Sequence, residues 1–355
     1  MNRLFRSSYL VWSLLALPMS QAAFAQPAPS DGAIAEIAQL EGPSRQQRLV
    51  DGAKKEGELV VYESMTGEDI APIVDAFSRK YGIKVKLWRS SSENVLRRVV
   101  SETRAGRFEA DVVENNAPEM EALHREKLLQ RVRSPQFADL MPQAVPAHGE
   151  WAGHTLDVFV QAYNTEKIRK EDLPKTFHDL LDPKWKGRLG IESDDQAWFA
   201  ALAQELGEEA THKLFKELVA TNGLSVRKGH TLLTNLVAAG EVPLGLTIYN
   251  NKPEQLKQKG AAIDWFVMQP IVAQLRSVGV LKTSPHPHAA LLFYDYMLGE
   301  AQQISFSRNY VPTSRKIDAP LARQPLKFID PALALDMNEK WLKTYEDVVT
   351  KRAAP

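Results

Sequence analysis

The chain contains no cysteine, carries no excess of either charge, and has no internal apolar run long enough to cross a membrane. Its 355 residues include 44 basic and 44 acidic side chains, so the formal net charge is zero. Without cysteine, neither a disulfide bond nor a lipid attached through a thiol can stabilise or anchor the protein. Without a basic excess, no overall field favours nucleic acid or an anionic membrane as a partner. What remains is an ordinary globular composition with enough length for two lobes.

The first 25 residues have the pattern of a secretory signal peptide. Arg3 and Arg6 precede the apolar run YLVWSLLALPM, and Ala23 and Ala25 supply the small residues expected before a cleavage site. A membrane anchor is the alternative, but the run is shorter than the roughly 20 residues that span a bilayer. We therefore predict cleavage between Ala25 and Gln26. An exported, soluble, cysteine-free protein fits the periplasm.

Hydrophobic periodicity predicts an α/β fold. A loose leader to about residue 43 precedes a helix that ends near Gly57. Three strands are then expected at LVVYES, IKVKLWR and ADVVEN, because each is short and apolar or alternating. Amphipathic helices separate them, and the second helix opens with a capping box formed by Ser90 and Glu93. Right-handed crossovers between these strands predict a parallel sheet.

No catalytic motif stands out in the sequence. It has no Gly-x-Ser-x-Gly elbow, no glycine-rich phosphate loop and no His-Glu-x-x-His. His286 and His288 could share a metal ion, but Pro287 between them favours the start of the apolar helix that follows. We therefore expect a protein that is not an enzyme, with a periplasmic enzyme as an alternative.

Polar side chains follow each of the first three strands. In a parallel sheet these residues meet at one edge, beside helix N-termini that attract polar or anionic ligands. Any one of them could simply cap a helix, but as a set they predict a binding crevice. The candidates are Ser64, Thr66, Arg89, Ser90, Ser91, Asn115 and Asn116.

A family resemblance is carried by seven segments together. They are GELVVYES, IVDAFSRKYGIKV, ADVVEN, AYNTEKI, FHDLLDPKWKGRLGI, LVAAGEVPLGL and LKTSPHPHAALLFYDYML. Through them, from about Lys54 to Thr313, the chain resembles periplasmic solute-binding proteins of ABC importers, in the branch that includes ferric-ion-binding proteins. The resemblance implies a two-lobed type II periplasmic-binding-protein fold, with a hinge and a ligand cleft between the lobes.

The resemblance also implies a division of the chain and a set of partners. A small-molecule solute and an inner-membrane ABC permease are expected, with no cofactor, no nucleic acid and a monomeric state. Presentation of the solute to a sensor is an alternative to import. The expected division is a signal peptide (1–25), an N-terminal leader and helix (26–56), lobe 1 (57–161 with 270–320), lobe 2 (162–269) and a C-terminal helical segment (321–355).

The family's iron ligands can be compared with this sequence. Ferric-binding relatives use a His after the first strand, a Glu after the third and two adjacent Tyr. In an unaligned register the corresponding residues are Thr66, Asn116, Asn250 and Asn251. Ferric ion prefers anionic oxygens, so these neutral side chains predict no phenolate-type iron site and no metal ligand. A slip of one residue would restore Tyr249 alone, and iron import with other ligands remains the alternative.

Two adjacent acids, Asp194 and Asp195, follow the strand GRLGIE, where the resemblance implies a turn that helps to hold an anion. Like charges would repel an anion. One acid is expected to cap the helix QAWFAALAQEL and the other to face the cleft. Trp198 would be either a cleft wall or core. Lys228 lies on the next loop, just before Gly229 and His230. A cleft that contains one of the acids together with Lys228 or Arg89 is expected to suit a ligand that bears both signs, or a cation with polar groups.

Overall fold

The computed structural model describes residues 31–351, so the predicted cleavage site lies outside the described residues. Within that range, no helix has both the length and the apolar character needed to cross a membrane.

One mixed sheet runs through the described part of the chain. Its strands are β1 (Glu58–Glu63), β2 (Lys84–Arg89), β3 (Val112–Asn116), β4 (Trp151–Asn164), β5 (Leu189–Glu192), β6 (Ser225–Arg227), β7 (Leu244–Tyr249), β8 (Ile263–Phe266), β9 (Ile271–Val280), β10 (Val311–Pro312) and β11 (Leu326–Phe328). The order is β2-β1-β3-β9-β4-β7-β5-β6, while β8 and β10 pair with β4 and β11 pairs with β9.

Helices cover the faces of this sheet. They are α1 (Asp31–Ala38), α2 (Arg45–Glu56), α3 (Gly67–Tyr81), α4 (Ser92–Arg104), α5 (Ala117–Arg125), α6 (Gln196–Leu206), α7 (Glu208–Asn222), α8 (His230–Ala238), α9 (Asn251–Gln258), α10 (Pro287–Leu298), α11 (Ala301–Ser307), α12 (Pro331–Asp336) and α13 (Asn338–Tyr345).

Strand β4 belongs to both halves of the sheet. Its first part pairs antiparallel with β9, and its second part pairs antiparallel with β7 and β8. All of β4 is buried, so it reads as a continuous core strand rather than as an edge. The chain therefore crosses between the two α/β halves through β4, which is the two-lobed architecture expected from the resemblance.

Each half has its own apolar core. In the first, Phe77 and Phe293 meet edge to face among residues of α3, α10 and the neighbouring strands. In the second, Trp198 and Phe199 pack against Phe215 of α7. The proposed chain positions of the lobe boundaries stay a prediction, since 161 and 162 both lie inside β4.

The C-terminal segment touches both halves. Helix α12 packs on α5 of the first half, and α13 packs on α6 of the second. Trp341 and Tyr345 of α13 are buried in the second core, and the Tyr345 hydroxyl donates a hydrogen bond to the Glu192 carbonyl at 2.6 Å. This segment is therefore packed across one side of the cleft rather than attached to a single lobe.

Three sequence-based expectations need correction. The leader is not loose throughout, because Ile34 and Ala38 of α1 are buried in the first core. The prediction of a parallel sheet is confirmed for β1, β2 and β3 but does not hold for the whole sheet, which is mixed because β9 runs antiparallel to β3 and β4. The capping box is wrong, because α4 begins after Ser91 and not after Ser90, and the serine run gave no signal for the correct residue. The helix start at Pro287 is confirmed.

Candidate functional site

A cavity of about 550 Å³ lies where the C-terminal ends of β1, β2 and β3 face those of β5 and β7. This is the position at which open α/β sheets place ligands. Most of the side chains predicted from the sequence line it. They are Ser64, Thr66, Arg89, Ser91, Asn116, Asp194, Asp195, Trp198, Lys228, His230 and Tyr249.

Three predicted site residues are not in the cavity wall. Asn115 is fully buried, and its amide donates to the Ser92 carbonyl at 2.9 Å. Asn250 accepts from the Val158 amide at 3.2 Å and donates to the Asn309 carbonyl at 2.9 Å. Both amides are used to hold backbone segments behind the wall, so we correct their assignment from solute contacts to supports.

The third of these residues, Ser90, is half-buried at the end of β2. It directly precedes Ser91, the residue from which α4 starts and which does line the cavity. The offset of one residue is the same error that misplaced the capping box.

Three helix N-termini point into the first-lobe wall. Helices α3, α4 and α5 begin after Thr66, Ser91 and Asn116, and none of these side chains makes a capping hydrogen bond. The Thr66 hydroxyl instead donates to Asp69 at 2.7 Å. Free N–H groups at a helix start carry partial positive charge and favour an anion. Arg89, which is exposed at the cavity, adds a full positive charge to this wall.

Beneath that wall lies a buried guanidinium, Arg276. It donates to both oxygens of Glu114, at 3.0 and 3.1 Å, and to Asp157 at 3.2 Å. It also donates to the Ser64 hydroxyl at 2.7 Å. Burial alone would raise the pKa of Glu114, but the charge of Arg276 lowers that pKa to about 2. Arg276, Glu114 and Asp157 are thus paired with one another, whereas burial raises the pKa of two other acids of this lobe, Glu63 and Glu119, to about 8 and about 7.

An ionic contact joins the two lobes at one side of the cavity. Asp69 of α3 accepts from Lys252 at 2.7 Å and from Gln255 at 3.0 Å, both on α9. Arg308 and Tyr310 also donate to Asp69, at 2.8 and 2.9 Å. Burial would raise the pKa of Asp69, but Lys252 and the other donors hold it below its usual range. The two walls are therefore tied together in this conformation.

The second-lobe wall contains a cluster of two acids and one imidazole, Glu192, Asp195 and His230. One potential ligand atom from each lies within 4.8 Å of the other two. The Glu192 carboxylate accepts from the amide of Gly229 at 2.8 Å and from that of Asp194. His230 Nε2 faces Asp195 Oδ1 at 3.4 Å, and its Nδ1 lies 3.2 Å from the Thr247 carbonyl.

The pKa values of Glu192 and His230 in this cluster are both raised. Burial, with the charge of Asp195 next in size, raises the pKa of Glu192 to about 7. Burial would lower the pKa of His230, but Asp195 raises it to about 9. Two acids therefore compete for one protonated imidazole. Asp195 is 5% exposed, and its Oδ2 has no hydrogen-bond partner among residues 31–351. The cluster thus contains two acids and one imidazole, with one carboxylate oxygen left unpaired.

The two adjacent acids do not divide their roles as expected. Neither carboxylate caps α6, and both line the cavity. Asp194 is half exposed and pairs with Lys228 at 3.2 Å, whereas Asp195 is buried. Trp198 is at once wall and core, because it borders the cavity and packs edge-on against Phe215.

Tyr249 is half-buried beside the imidazole of the cluster. Its ring centroid lies 3.8 Å from that of His230, and its hydroxyl accepts from Gln274 at 2.7 Å. Burial, reinforced by Asp157, raises the pKa of Tyr249 well above its usual value. The iron site of the family uses two adjacent side chains from this loop. Here Tyr249 and Asn251 border the cavity, and Asn250 between them does not. The absence of a phenolate-type iron site stays a prediction.

Sequence reasoning missed several residues of the wall. Glu192 was hidden as the last residue of an apolar strand, although it stands two positions before the acids that were chosen. Arg276 could have been found as the one charge within the apolar run IVAQLRSVGV. The missed residues with polar side chains at the cavity are Ser92, Glu93, Glu119, Asp157, Glu192, Gln196, Thr231, Asn251, Lys252, Gln274, Arg276, Tyr310 and Asn338.

Comparison with known proteins agrees with this architecture. Residues 72–327 match the family described as bacterial extracellular solute-binding protein. The Fe(3+)-binding periplasmic protein of Serratia marcescens is 29% identical over 256 residues, which cover 69% of this chain and 75% of that protein. Iron uptake protein A1 of a Synechocystis strain is 27% identical over 285 residues, covering 76% of this chain and 78% of the relative.

Solved structures share the two-lobed fold. Iron-bound HitA from Pseudomonas aeruginosa superposes with a TM-score of 0.71 at 27% identity, covering 82% of this chain and 99% of that one. AfuA from Actinobacillus pleuropneumoniae, with fructose-6-phosphate bound, gives 0.72 at 24% identity, covering 83% and 99%, and so supports the fold alone. The type II periplasmic-binding-protein fold is confirmed. The chain belongs to the bacterial extracellular solute-binding protein family, whose members bind solutes for ABC transporters.

Proposed function

We propose that this protein is the periplasmic receptor that delivers a small polar solute, bearing both a negative and a positive part, to an inner-membrane ABC permease. The observation that carries the proposal is a pair of charged groups left available on facing walls. Arg89 on the first-lobe wall makes no ion pair within residues 31–351, and Asp195 on the second-lobe wall has one carboxylate oxygen without a hydrogen-bond partner in that range, although each wall also contains charges of the other sign. The sequence pattern of residues 1–25 and the periplasmic relatives support the location. The proposal names the type of solute and leaves its carbon skeleton open.

The first-lobe wall suits the negative part of the solute. Arg89 makes no ion pair within residues 31–351, and its Nε donates only to the Met65 carbonyl at 3.0 Å. The uncapped starts of α3, α4 and α5 converge on the same wall. A carboxylate or phosphate placed there would accept backbone N–H bonds and pair with the guanidinium. Arg276 lies deeper and is already neutralised by its own acids.

The second-lobe wall suits the positive part. Asp195 Oδ2 is buried without a partner in the described part of the chain, and Glu192 lies in the same cluster. A buried acceptor left unpaired is costly, so a cation that reaches it gains more than it would at the surface. The Asn251 amide is also buried at the cavity without a partner among the described residues. It is a further polar contact for the solute.

A second candidate function is the import of iron or an iron complex with ligands other than the family's phenolates. The names of the relatives from Serratia marcescens and Synechocystis favour it, as does the cluster of two carboxylates and one imidazole. An anion bound by the first lobe would then accompany the metal. At the loop where the family has two adjacent tyrosines this chain has Tyr249 followed by Asn250 and Asn251, which makes the phenolate form of this candidate the weaker one.

The deciding experiment is native purification from the periplasm followed by mass spectrometry of the released small molecules and metal analysis of the same sample. A solute with both charges, released on unfolding, is the expected result. Protein carrying Arg89→Ala together with Asp195→Asn should release much less of it. Recovery of stoichiometric iron without an organic solute would replace the first candidate by the second. A solute of one sign, retained by the double variant, would contradict both.

A further inference from the structure

We propose that Glu192, Asp195 and His230 form a binding site for a divalent first-row transition metal ion, so that the positive part of the solute is a metal ion. This inference rests on the proposed function, since it specifies what the second-lobe wall holds. It differs from the sequence-based expectation of no metal ligand, which did not include Glu192.

The donor atoms are already close together. Each pair among the three ligand atoms is separated by 4.8 Å or less, and the Asp195–His230 pair by 3.4 Å. A tetrahedral ion with bonds of about 2.0–2.1 Å holds its ligand atoms about 3.3 Å apart. Small side-chain rotations therefore suffice to close the group around an ion.

The imidazole is oriented as a metal ligand. Nδ1 of His230 lies 3.2 Å from the Thr247 carbonyl, which can only accept, so Nδ1 carries the proton of the neutral ring. In that form the Nε2 lone pair faces Asp195 Oδ1 at 3.4 Å. A backbone carbonyl behind the second ring nitrogen is the common outer-shell arrangement for metal-binding histidines. Two backbone amides, from Gly229 and Asp194, likewise fix the carboxylate of Glu192.

An unpaired buried oxygen supplies an independent reason to place a cation here. Asp195 is more than nine-tenths buried, and its Oδ2 has no hydrogen-bond partner in residues 31–351. The carboxylate belongs to the cavity wall, so a bound ion reaches it without opening the core. A ligand set of one imidazole and two carboxylates suits Zn²⁺, Co²⁺, Fe²⁺ or Mn²⁺ better than Ca²⁺ or Mg²⁺, which prefer all-oxygen sites.

The open side of the group faces the first lobe. Across the cavity stand Arg89 and the uncapped helix starts that suit an anion. Three protein ligands leave a fourth position free, as in sites where metal meets a small molecule. The metal would thus be bound to the second lobe first and bridged to the first lobe by an anion.

The competing explanation is an ion pair only, in which protonated His230 satisfies Asp195 and no metal binds. The test uses metal-free protein, prepared with a chelator, and Co²⁺ as the probe. We expect one equivalent of Co²⁺ to produce a visible ligand-field band, to raise the melting temperature, and to be displaced by Zn²⁺. We expect Co²⁺ binding to weaken by at least about 10- to 100-fold, the usual effect of losing an outer-shell partner, in each of the variants Glu192→Gln, Asp195→Asn and His230→Gln.

A second group of possible ligands provides the matched control. Glu121, His124 and His148 lie together on the outer side of the first half. There, His148 Nδ1 accepts from the Glu150 amide at 3.0 Å, so the proton of the neutral ring sits on Nε2 and that nitrogen has no free lone pair. We expect His124→Gln to leave the Co²⁺ band unchanged.

Each outcome decides the inference. As a folding control, each of the three cluster variants must melt at the parent's temperature when a chelator has removed all metal. If Glu192→Gln and His230→Gln fail this control, the conclusion rests on the near-isosteric Asp195→Asn. No Co²⁺ or Zn²⁺ binding by the parent, or a band lost with His124→Gln, overturns the metal site. Those results leave the organic-solute proposal standing, because released solute is measured without added metal. A zwitterionic solute found without metal in the native sample would also separate the two.

Discussion

Glu114 in the first lobe and Glu192 in the second are the same residue type, both buried, both on strands whose ends form the cavity. They differ in what faces them. Glu114 is bonded through both oxygens to Arg276, and its pKa falls to about 2. Glu192 has backbone amides and a second acid as neighbours, and its pKa rises to about 7. Glu114 therefore has a fixed guanidinium as its counter-ion, and Glu192 has no guanidinium or ammonium partner within residues 31–351.

This difference separates structural charges from charges kept for a ligand. A buried carboxylate with a fixed guanidinium is stabilised before any solute arrives, so it contributes to the fold. A buried carboxylate that shares one imidazole with another acid stays incompletely neutralised until a cation enters. Perturbed pKa values of the second kind mark functional sites more often than those of the first. Mutations of Arg276 or Glu114 should therefore change the free energy of unfolding, whereas mutations of Asp195 should change solute affinity.

The largest effect is expected for Arg276→Gln. The substitution leaves Glu114 and Asp157 buried without their cation, which costs about 3–5 kcal/mol in the free energy of unfolding. Urea unfolding followed by circular dichroism measures it. Arg89→Gln, which removes an exposed guanidinium from the same wall, should change the stability by no more than about 0.5 kcal/mol. If the two substitutions lowered the free energy of unfolding equally, the pairing of Arg276 with Glu114 and Asp157 would not be the stabilising contact inferred here.

The second effect concerns acid pH. Because the folded pKa of Glu114 lies below its unfolded value, its contribution is present above about pH 4.5 and is lost as the pH falls towards 2. A shift of this size corresponds to about 3 kcal/mol. Unfolding free energies measured between pH 6 and pH 2 should fall less steeply for Glu114→Gln than for the parent. The exposed Glu93→Gln serves as the control, and an unchanged slope in Glu114→Gln would be the contrary result.

The third effect concerns solute affinity. Asp195→Asn and Arg89→Ala remove one charge from opposite walls, and loss of a charged hydrogen bond in a closed cleft costs about 1.5–3 kcal/mol, or roughly ten- to a hundred-fold in Kd. Calorimetry with the solute identified from native protein measures each. Both variants should unfold like the parent, which distinguishes them from Arg276→Gln. If only Arg89→Ala weakens binding, the solute is an anion and the two-sign proposal fails.

The fold was largely predictable from the sequence because local patterns determine it. Short apolar segments, helical spacing and the family segments placed the first strands and helices, and the polar residues at strand ends did meet in one cavity. The antiparallel course of β9 was not predictable in this way. The direction of β9 is set by the path on which the chain returns from the second lobe to the first. The local sequence IVAQLRSVGV contains no pattern that specifies this path.

The sequence predicted where the candidate site lies better than it predicted which side chains there bond to one another. Side chains at the N-terminal side of helices were found one by one, but pairs far apart in sequence, such as Arg276 with Glu114, depend on tertiary contact. Asn250 shows the reverse error. Its position suited a ligand contact, yet its amide is used by Val158 and Asn309. Position at a strand end therefore selects candidates, and only the competing hydrogen bonds decide among them.

The smallest effect is expected for Asp194→Asn, although Asp194 stands next to Asp195 and also borders the cavity. Its carboxylate is half exposed and pairs with Lys228, whose side chain is 82% exposed. Exposed pairs contribute about 0.2–1 kcal/mol, so solute affinity should change by less than about fivefold and stability by little. A double-mutant cycle with Lys228→Ala, read by calorimetry and by urea unfolding, measures the coupling. Should Asp194→Asn weaken binding more than Asp195→Asn, the exposed acid and not the buried one meets the solute, and the role assigned to the buried cluster passes to the rim of the cleft.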